Sequence, residues 1–243
     1  GERLIGTFTA FATRMAVDVL AASGFDVIGI DEEHTPLDRA QVADAIAASD
    51  AQRLPAIVRL AQNDPVRIFS ALDAGAAGII APRVNSARET EAVARAAHYP
   101  PRGERGLGPG RASQYGYKSG EYLEQARRHT LVGVQIETRA AVEDLDAMLA
   151  VDGVDLYFVG PSDLFMSYGL TGPSDPELLR LVADIHRRTI RAGKIAGMFA
   201  VTPQTAASYA KDGVGFILLR TDTMLLGEAA GHAVNAYRAA MKG

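Results

Sequence analysis

The sequence of 243 residues contains neither cysteine nor tryptophan. The lack of cysteine excludes disulfides, thiolate catalysis and cysteine-bound zinc, and the lack of tryptophan removes a common platform for stacking sugars. No segment approaches the roughly 18 consecutive apolar residues that a membrane-spanning helix requires. The first residues, Gly1-Glu2-Arg3, also lack the layout of a secretory signal peptide. We therefore expect a cytoplasmic protein with no membrane partner.

An excess of charge of one sign is also missing. The chain has 25 basic and 29 acidic side chains, which gives a formal net charge of −4. These charges are spread along the chain and form no basic patch of the kind that binds phosphate backbones. We therefore predict no nucleic-acid partner.

Short apolar or β-branched segments alternate with longer segments of helical period along the chain. The predicted strands are residues 4–9, 27–31, 54–59, 78–82, 131–136, 156–159, 195–198 and 215–219. The predicted helices are residues 14–23, 38–49, 65–74, 86–97, 120–128, 139–149, 175–192, 202–210 and 223–241. Apolar runs such as residues 77–81 are typical of a parallel sheet buried on both faces. The pattern predicts an α/β protein with one (β/α)8 TIM barrel as a single domain over residues 1–243.

A doubly wound open sheet is the alternative to a barrel. Its nucleotide-binding form carries a Gly-x-Gly-x-x-Gly turn after the first strand, and this sequence has none there. The segment from Tyr99 to Gly120, rich in proline, glycine and arginine, is too long for an ordinary connection. We therefore interpret this segment as a functional loop.

Polar residues cluster where the predicted strands end, which is where barrels of this type carry their active sites. Strand two runs into Asp31-Glu32-Glu33-His34, and strand three ends at Arg59. Strand five ends in Gln135-Ile136-Glu137, and strand six runs into Gly160-Pro161-Ser162-Asp163. Solvated loop charges would explain any one of these segments, but four on one face favour a functional site.

Glu137 and Asp163 follow adjacent strands, so their carboxylates can approach each other. Two close carboxylates repel unless a proton or a cation lies between them, and oxygen ligands suit hard divalent ions. We predict that this pair binds a divalent metal, Mg²⁺ or Mn²⁺, with Co²⁺ or Zn²⁺ as alternatives. A carboxylate pair for glycoside hydrolysis is the competing interpretation, which the absence of tryptophan disfavours.

His34 and Arg59 are candidates for acid–base and anion-binding roles. Imidazole titrates near neutral pH, so His34 can act as a general base; a solvent-facing histidine is the alternative. Arg59 ends a strand that is predicted to be buried, where an unpaired cation is costly. It must therefore pair with a carboxylate, which belongs either to the protein or to a substrate.

Lysine is scarce and badly placed for covalent catalysis. The lysines are Lys118, Lys194, Lys211 and Lys242, and none follows the carboxyl end of a predicted strand. Schiff-base chemistry is therefore not expected. Carbanion chemistry at this site would need a metal instead.

Six motifs follow one another in order and spacing. They are GFDVIGIDEEHTPLD (24–38), IVR (57–59), LDAGAAGIIAPRVNSARE (72–89), YPPRGERGLGPGRASQYG (99–116), VQIET (134–138) and VGPSDL (159–164). Together they resemble the HpcH/HpaI aldolases, metal-dependent class II pyruvate aldolases, over essentially the whole chain. The resemblance implies a barrel that assembles as a homotrimer or homohexamer and exchanges its last helix between neighbours. The Tyr99–Gly120 loop, with Arg102, Arg105 and Arg111, would then be a candidate wall of the site near a subunit boundary.

Carried over by position, the resemblance implies roles for individual residues. Glu137 and Asp163 would ligate the metal, and His34 would be the base, oriented by Asp73. Arg59 would contact the keto or enolate oxygen. The remaining predicted site residues are Asp31 and Glu33 as supporting polar groups, and Gln135, Pro161, Ser162 (through its backbone) and Phe199 around the substrate.

Two aromatic residues bear on the size of the substrate. Phe199 stands where dicarboxylate-cleaving members of the family are expected to carry a smaller aliphatic residue, and Phe8 lies at the end of strand one. Both favour a short or hydroxylated substrate over a long dicarboxylate, unless they belong to the core.

The predicted function is a divalent-metal-dependent aldolase that forms a metal-bound enolate of pyruvate or hydroxypyruvate and adds it reversibly to an aldehyde. Retro-aldol cleavage of 4-hydroxy-2-oxo acids is the reverse reaction. Two alternatives stay open. One is a citrate-lyase-like carbon–carbon lyase acting on a coenzyme A thioester, and the other is a non-catalytic barrel that binds 2-oxo acids.

Overall fold

Eight parallel strands form a closed barrel in a computed structural model that describes residues 3–241. The strands are β1 (Leu4–Thr9), β2 (Val27–Asp31), β3 (Ala56–Arg59), β4 (Gly78–Ala81), β5 (Leu131–Ile136), β6 (Leu156–Val159), β7 (Ile195–Ala200) and β8 (Phe216–Thr221). Each strand pairs with its neighbours in sequence, and β8 closes the barrel by pairing with β1. The predicted (β/α)8 fold is confirmed.

Helices follow the strands and surround the barrel. They are α1 (Arg14–Ala22), α2 (Arg39–Ala51), α3 (Pro65–Asp73), α4 (Ala87–Ala97), α5 (Ser119–His129), α6 (Arg139–Glu143), α7 (Leu145–Leu149), α8 (Pro161–Tyr168), α9 (Pro176–Arg191), α10 (Pro203–Lys211) and α11 (Asp222–Ala240). A short 3-10 turn, Arg111–Ser113, lies in the connection between α4 and α5. Within residues 3–241 no helix has both the length and the apolar character needed to cross a membrane.

Helix starts follow capping residues that are visible in the sequence. Asp64 precedes α3 and accepts hydrogen bonds from the backbone N–H groups of Val66 and Arg67 at 2.8 and 3.1 Å. Proline occupies the first turn of α3, where its missing N–H would have no helical partner anyway. At α2, Asp38 and Gln41 form a reciprocal capping box. Such local contacts explain why most predicted helix boundaries agree with the structure.

Two helices differ from the prediction. The helix predicted over residues 139–149 is divided at Asp144, whose carboxylate accepts a hydrogen bond from the Ala87 N–H at 2.6 Å. The residues after strand six, predicted only as a polar strand end, form α8, which is capped by Gly169 at φ 69°. A proline at the first turn and a left-handed glycine at the end are its local signals.

Large apolar side chains fill the barrel interior. The Phe158 ring packs edge-on against two others, 6.2 Å from the Phe8 centroid and 6.3 Å from the Phe216 centroid. Gly29 makes room for this packing, since a Cβ at that position would lie 2.8 Å from a Phe8 ring atom. A second apolar layer lies between the strands and the helices. The interior is therefore a packed core, and a ligand can enter only at its mouth.

The last helix, α11, departs from this packing. Of its described residues, Asp222 is the one that is buried. The side chains of Leu226, Val234 and Tyr237 are exposed by 59%, 46% and 66%. A helix that leaves this much apolar surface in solvent is typical of a contact between chains.

His186 of α9 is buried, with 5% exposure, and its ring packs edge-on against Tyr209 of α10 at 5.6 Å between centroids. Burial lowers the pKa of this imidazole from 6.5 to about 4. The folded protein therefore holds His186 neutral at pH 7, in agreement with a structural role.

We expect the free energy of unfolding to decrease as the pH falls from about 6.5 to about 4. In this range the unfolded chain binds a proton at His186 that the folded chain does not bind, so acidification favours unfolding. His186 should contribute about 3 kcal/mol to this loss of the free energy of unfolding, at about 1.4 kcal/mol per pKa unit. Urea denaturation across this range should show a smaller loss in His186→Phe than in the wild type. Parallel pH dependences for the two proteins would contradict the assignment.

Candidate active site

The carboxyl ends of the strands surround a cavity of about 260 Å³. Its lining includes Phe8, Asp31, His34, Thr35, Arg59, Pro161, Ser162, Asp163, Phe199, Thr221 and Thr223. A larger groove of about 560 Å³ lies beside Arg111, outside the barrel. There the guanidinium is already paired with Asp50 at 2.6 Å, so we take the smaller cavity at the barrel mouth as the candidate site.

Arg59 is held in one orientation by protein carboxylates. Its Nε and Nη2 donate to the two oxygens of Asp31 at 2.9 and 2.7 Å, and its Nη1 lies 3.5 Å from Glu33 Oε2. The guanidinium also stacks over the Phe8 ring, 4.4 Å from its centroid. Arg59 is therefore part of an internal ion pair, and it also lines the cavity, where a substrate oxygen can reach it.

Glu137 lies just past β5 and is 2% exposed. Its Oε1 accepts a hydrogen bond from the Arg83 backbone N–H at 2.6 Å, and its Oε2 accepts one from the Gln135 side chain. Gly160 lies against the same carboxylate, since an added Cβ there would be 3.2 Å from Glu137 Oε2. The carboxylate is thus fixed from two sides and covered by a residue without a side chain.

Glu33 lies among charged and polar side chains at the barrel mouth, and these affect its pKa. Its Oε2 lies 3.4 Å from Gln135 Nε2, 3.5 Å from Arg59 Nη1 and 3.8 Å from His34 Nε2. Burial raises the pKa of Glu33 above its usual value; the charge of Arg59 opposes this shift, and that of Glu137 adds to it. The barrel mouth therefore favours the uptake of a proton or a cation.

Asp163 approaches the cavity from the first turn of α8. It is exposed, and it lines the cavity together with Pro161 and Ser162. The first N–H groups of a helix have no helical acceptor and bind anions. The Ser162 backbone can therefore face a substrate carboxylate beside Asp163.

Glu137 and Asp163 supply carboxylate oxygens, the ligand type that Mg²⁺ and Mn²⁺ prefer. Gly160 lines the cavity, and an added Cβ there would lie 3.2 Å from Glu137 Oε2, so Glu137 adjoins the cavity that Asp163 lines. Among residues 3–241, no group of three or more histidine, cysteine or carboxylate side chains is arranged to hold a metal ion. The two carboxylates offer the type of donor atom that a hard cation prefers, and its remaining ligands would have to be water or substrate oxygens.

His34 lies at the rim of the cavity, with its side chain 56% exposed. Its backbone N–H donates to Asp31 at 3.3 Å, and its Nε2 lies 3.8 Å from Glu33 Oε2. The ring is free to reach a substrate proton. Within the chain, Glu33 is the carboxylate that faces it.

Asp73, predicted to orient His34, does not contact it within one chain. It is the last residue of α3, which returns from the carboxyl ends of the strands to the start of β4 at the opposite end of the barrel. There its carboxylate accepts a hydrogen bond from Arg105 at 2.6 Å. The Arg105 side chain is fully buried, 4.6 Å from the Tyr99 ring centroid and 5.6 Å from that of Tyr122. Within one chain the barrel topology therefore keeps Asp73 apart from His34, and the predicted pairing stays a prediction.

The long connection over residues 99–118 lies at the same end as Asp73, between α4 and α5. Its Arg105 binds Asp73, and its Arg111 binds Asp50. The connection therefore does not form a wall of the cavity in its own chain.

Thr221 and Thr223 line the cavity, and neither is among the predicted site residues. The predicted strand eight stops at residue 219, whereas β8 continues to Thr221. The buried Asp222, directly after β8, holds this strand end against the end of β1. It accepts hydrogen bonds from Thr9 Oγ1 at 2.5 Å and from the Ala10 N–H at 2.9 Å. The sequence feature that could have identified both threonines is the polar run over residues 220–223, directly after the apolar strand predicted at 215–219.

A closed barrel with acidic and basic groups at the carboxyl ends of its strands is the architecture of a (β/α)8 enzyme. The sequence pattern of the HpcH/HpaI aldolase/citrate lyase family matches residues 4–229. The chain belongs to this family, which confirms the resemblance seen in its motifs.

Named relatives are similar to this chain over nearly its full length. The hydroxypyruvate/pyruvate aldolase of Roseovarius nubinhibens is 36% identical over 241 residues, covering 98% of this chain and 93% of that protein. The 4-hydroxy-2-oxo-heptane-1,7-dioate aldolase of Klebsiella pneumoniae is 36% identical over 233 residues, covering 95% and 88%. The crystal structure of an HpcH/HpaI aldolase/citrate lyase family protein from Burkholderia cenocepacia has 31% identity and a TM-score of 0.92, covering 98% and 95%. The predicted enzyme class, an aldolase, is supported by both named relatives.

Proposed function

We propose that this chain is an aldolase that forms the enolate of a short 2-oxo acid, pyruvate or hydroxypyruvate, and adds it reversibly to an aldehyde. The observation that carries the proposal is the convergence of His34, Arg59, Asp163 and the adjoining Glu137 at one barrel mouth, in a member of an aldolase family. Retro-aldol cleavage of a 4-hydroxy-2-oxo acid is the reverse reaction.

The side chains at the mouth account for binding and proton transfer. The free N–H groups at Ser162 bind the substrate carboxylate. Arg59, oriented by Asp31, directs Nη1 toward the 2-oxo oxygen and stabilises the negative charge that develops there. His34 removes the C3 proton, and Glu33, 3.8 Å from its ring, stabilises the imidazolium.

Glu137 and Asp163 would hold a divalent cation, Mg²⁺ or Mn²⁺ in preference to Co²⁺ or Zn²⁺. When bound, the cation supplies Lewis-acid polarisation of the 2-oxo group. Among the described residues no lysine lines the cavity, so a Schiff base has no amine to form on there; Lys242 lies outside the described residues.

Exchange of the pyruvate methyl protons with D₂O, followed by NMR, tests the first half of the reaction. In the wild-type protein we expect exchange to stop after chelator treatment and to return with added Mg²⁺ or Mn²⁺. His34→Ala should slow exchange about 100-fold or more, the usual effect of removing a general base. Glu137→Ala should abolish the recovery with metal, and Asp152→Ala, an exposed carboxylate, serves as the control.

Persistent metal-dependent exchange in Glu137→Ala would rule out the metal assignment, and normal exchange in His34→Ala would rule out the base. Binding of pyruvate without any exchange in the wild type would favour a non-catalytic barrel. Carbon–carbon cleavage that occurs only with a coenzyme A thioester would favour a citrate-lyase-like activity.

The aldehyde partner is proposed to be short, neutral and hydroxylated. Among the described residues that line the cavity, Arg59 is the one with a permanent positive charge, and it is already paired with Asp31. A second carboxylate on the aldehyde would therefore find no free cation there. Thr221 and Thr223 instead offer hydroxyl groups, and Phe199, 6.1 Å from the Phe8 ring centroid, limits the length of the substrate.

Aldol addition of pyruvate to glycolaldehyde should proceed with a kcat/KM at least about tenfold above that for succinate semialdehyde. The reason is the cost of burying an unpaired carboxylate beside Asp163. Phe199→Ala should lengthen the cavity and so reduce the ratio of kcat/KM for glycolaldehyde to kcat/KM for succinate semialdehyde. Thr223→Val should lower kcat/KM for glycolaldehyde and leave that for succinate semialdehyde unchanged. A preference of the wild type for succinate semialdehyde would contradict the proposed substrate class.

A homo-oligomer, a trimer or hexamer, is proposed from two features that one chain leaves incomplete. The helix α11 exposes its apolar side chains. Asp73 lies at the amino-terminal end of the barrel, opposite the end that carries the His34 of its own chain. Its side chain is 27% exposed. We infer that Asp73 of one copy faces the site of a neighbouring copy, so that the predicted His34–Asp73 pair forms between chains.

Mixing two inactive variants tests this arrangement. We expect His34→Ala and Asp73→Asn each to be nearly inactive alone. After joint unfolding and reassembly, a site with an intact His34 and an intact neighbouring Asp73 should form in about a quarter of positions, and activity should return accordingly. Mixed oligomers seen by mass spectrometry without any recovered activity would contradict the shared site.

A further inference from the structure

The segment that follows β4 reaches across to the end of β5 and holds Glu137. Arg83 in this segment has a φ of 54°, in the left-handed region that non-glycine residues rarely occupy. In this conformation its backbone N–H donates to Glu137 Oε1 at 2.6 Å. A left-handed arginine is retained only where surrounding contacts hold it, so a partner for this peptide must exist nearby.

Asn85 is that partner. Its Nδ2 donates to the Arg83 carbonyl oxygen at 2.9 Å, and its Oδ1 accepts a hydrogen bond from Thr138 Oγ1 at 2.5 Å. Thr138 directly follows Glu137 and also caps α6 by accepting from the Ala141 N–H at 3.1 Å. One amide side chain thus joins the peptide that holds Glu137 to the residue that follows Glu137.

The other side of the carboxylate is equally constrained. Gln135 donates to Glu137 Oε2, and a Cβ at Gly160 would lie 3.2 Å from that oxygen. Each oxygen of Glu137 therefore has one protein donor and keeps one lone pair for another ligand. These contacts fix the orientation of the carboxylate and leave one lone pair on each oxygen for a cation.

We propose that Asn85 is a positioning residue that sets the orientation in which Glu137 meets a divalent cation. Asn85 is not among the residues that line the cavity, and it acts through Arg83 and Thr138. The inference rests on the proposed function insofar as Glu137 is taken as a cation ligand. Groups that orient metal ligands from behind commonly change metal affinity by about 10–100-fold when removed.

The test is Mn²⁺ affinity of chelator-treated protein, measured by isothermal titration calorimetry and by the electron paramagnetic resonance signal of bound Mn²⁺. Asn85→Ala should raise the Kd about tenfold and broaden the bound signal. Thr138→Ala should do the same, and the double variant should bind no more weakly than the weaker single variant, because both changes remove one bridge. Arg88→Ala, an exposed residue of α4, should bind as the wild type does.

The thermal unfolding temperatures of the metal-free variants and wild type are compared, which separates a positioning role from general destabilisation. If Asn85→Ala does not fold, Asn85→Ser replaces it, because the serine side chain is too short to reach both Arg83 and Thr138. Loss of Mn²⁺ binding in Glu137→Ala together with wild-type affinity in Asn85→Ala would overturn this inference alone. Wild-type affinity in Glu137→Ala would overturn the proposed function, and this inference with it.

Discussion

The ion pair between Arg59 and Asp31 determines the charge pattern at the barrel mouth. The two side chains are 11% and 5% exposed and meet at 2.7 Å, so either one alone would be a costly buried charge. Burial raises the pKa of the neighbouring Glu33; the charge of Arg59 opposes this rise, and that of Glu137 adds to it. The mouth therefore favours the uptake of a proton or a cation.

The barrel brings these groups together through the register of its strands. Asp31 and Arg59 are directly paired residues of β2 and β3. Ile136 of β5 is paired with Val159 of β6, so the next residues, Glu137 and Gly160, lie side by side at the rim. Parallel strands with a common direction thus place side chains from distant parts of the sequence on one face. The packed phenylalanines beneath them keep this face in place.

The two ends of the barrel carry different groups of charged residues. The carboxyl end carries the cavity, while the amino end carries Asp73 on a fully buried Arg105. A buried arginine that holds a partly exposed carboxylate is a costly arrangement for one chain alone. The apolar side chains of α11 are exposed as well, and both features are the ones on which the proposed assembly of several copies rests.

Much of this could be predicted from the sequence because it depends on near neighbours. Alternating apolar and helical segments predict the eight strands and most helices, and residues such as Asp64 and Pro65 mark helix starts through contacts within one turn. Polar residues at strand ends identify His34, Arg59, Glu137 and Asp163, since strand direction alone places them at one end. The short helix α8 and the threonines at and after the end of β8, Thr221 and Thr223, escaped prediction, although their signals are local.

Tertiary structure decided what depends on residues far apart in sequence. The Arg83 N–H reaches Glu137 across 54 positions, and the Asp31–Arg59 pair spans 28. Neither contact exists until the strands are in register. Asp73 lies at the end opposite His34 because α3 returns to the start of β4. The sequence by itself determined which chemical groups the strands present at their ends. The folded barrel decided which of these groups meet, because their distances depend on how the whole sheet closes.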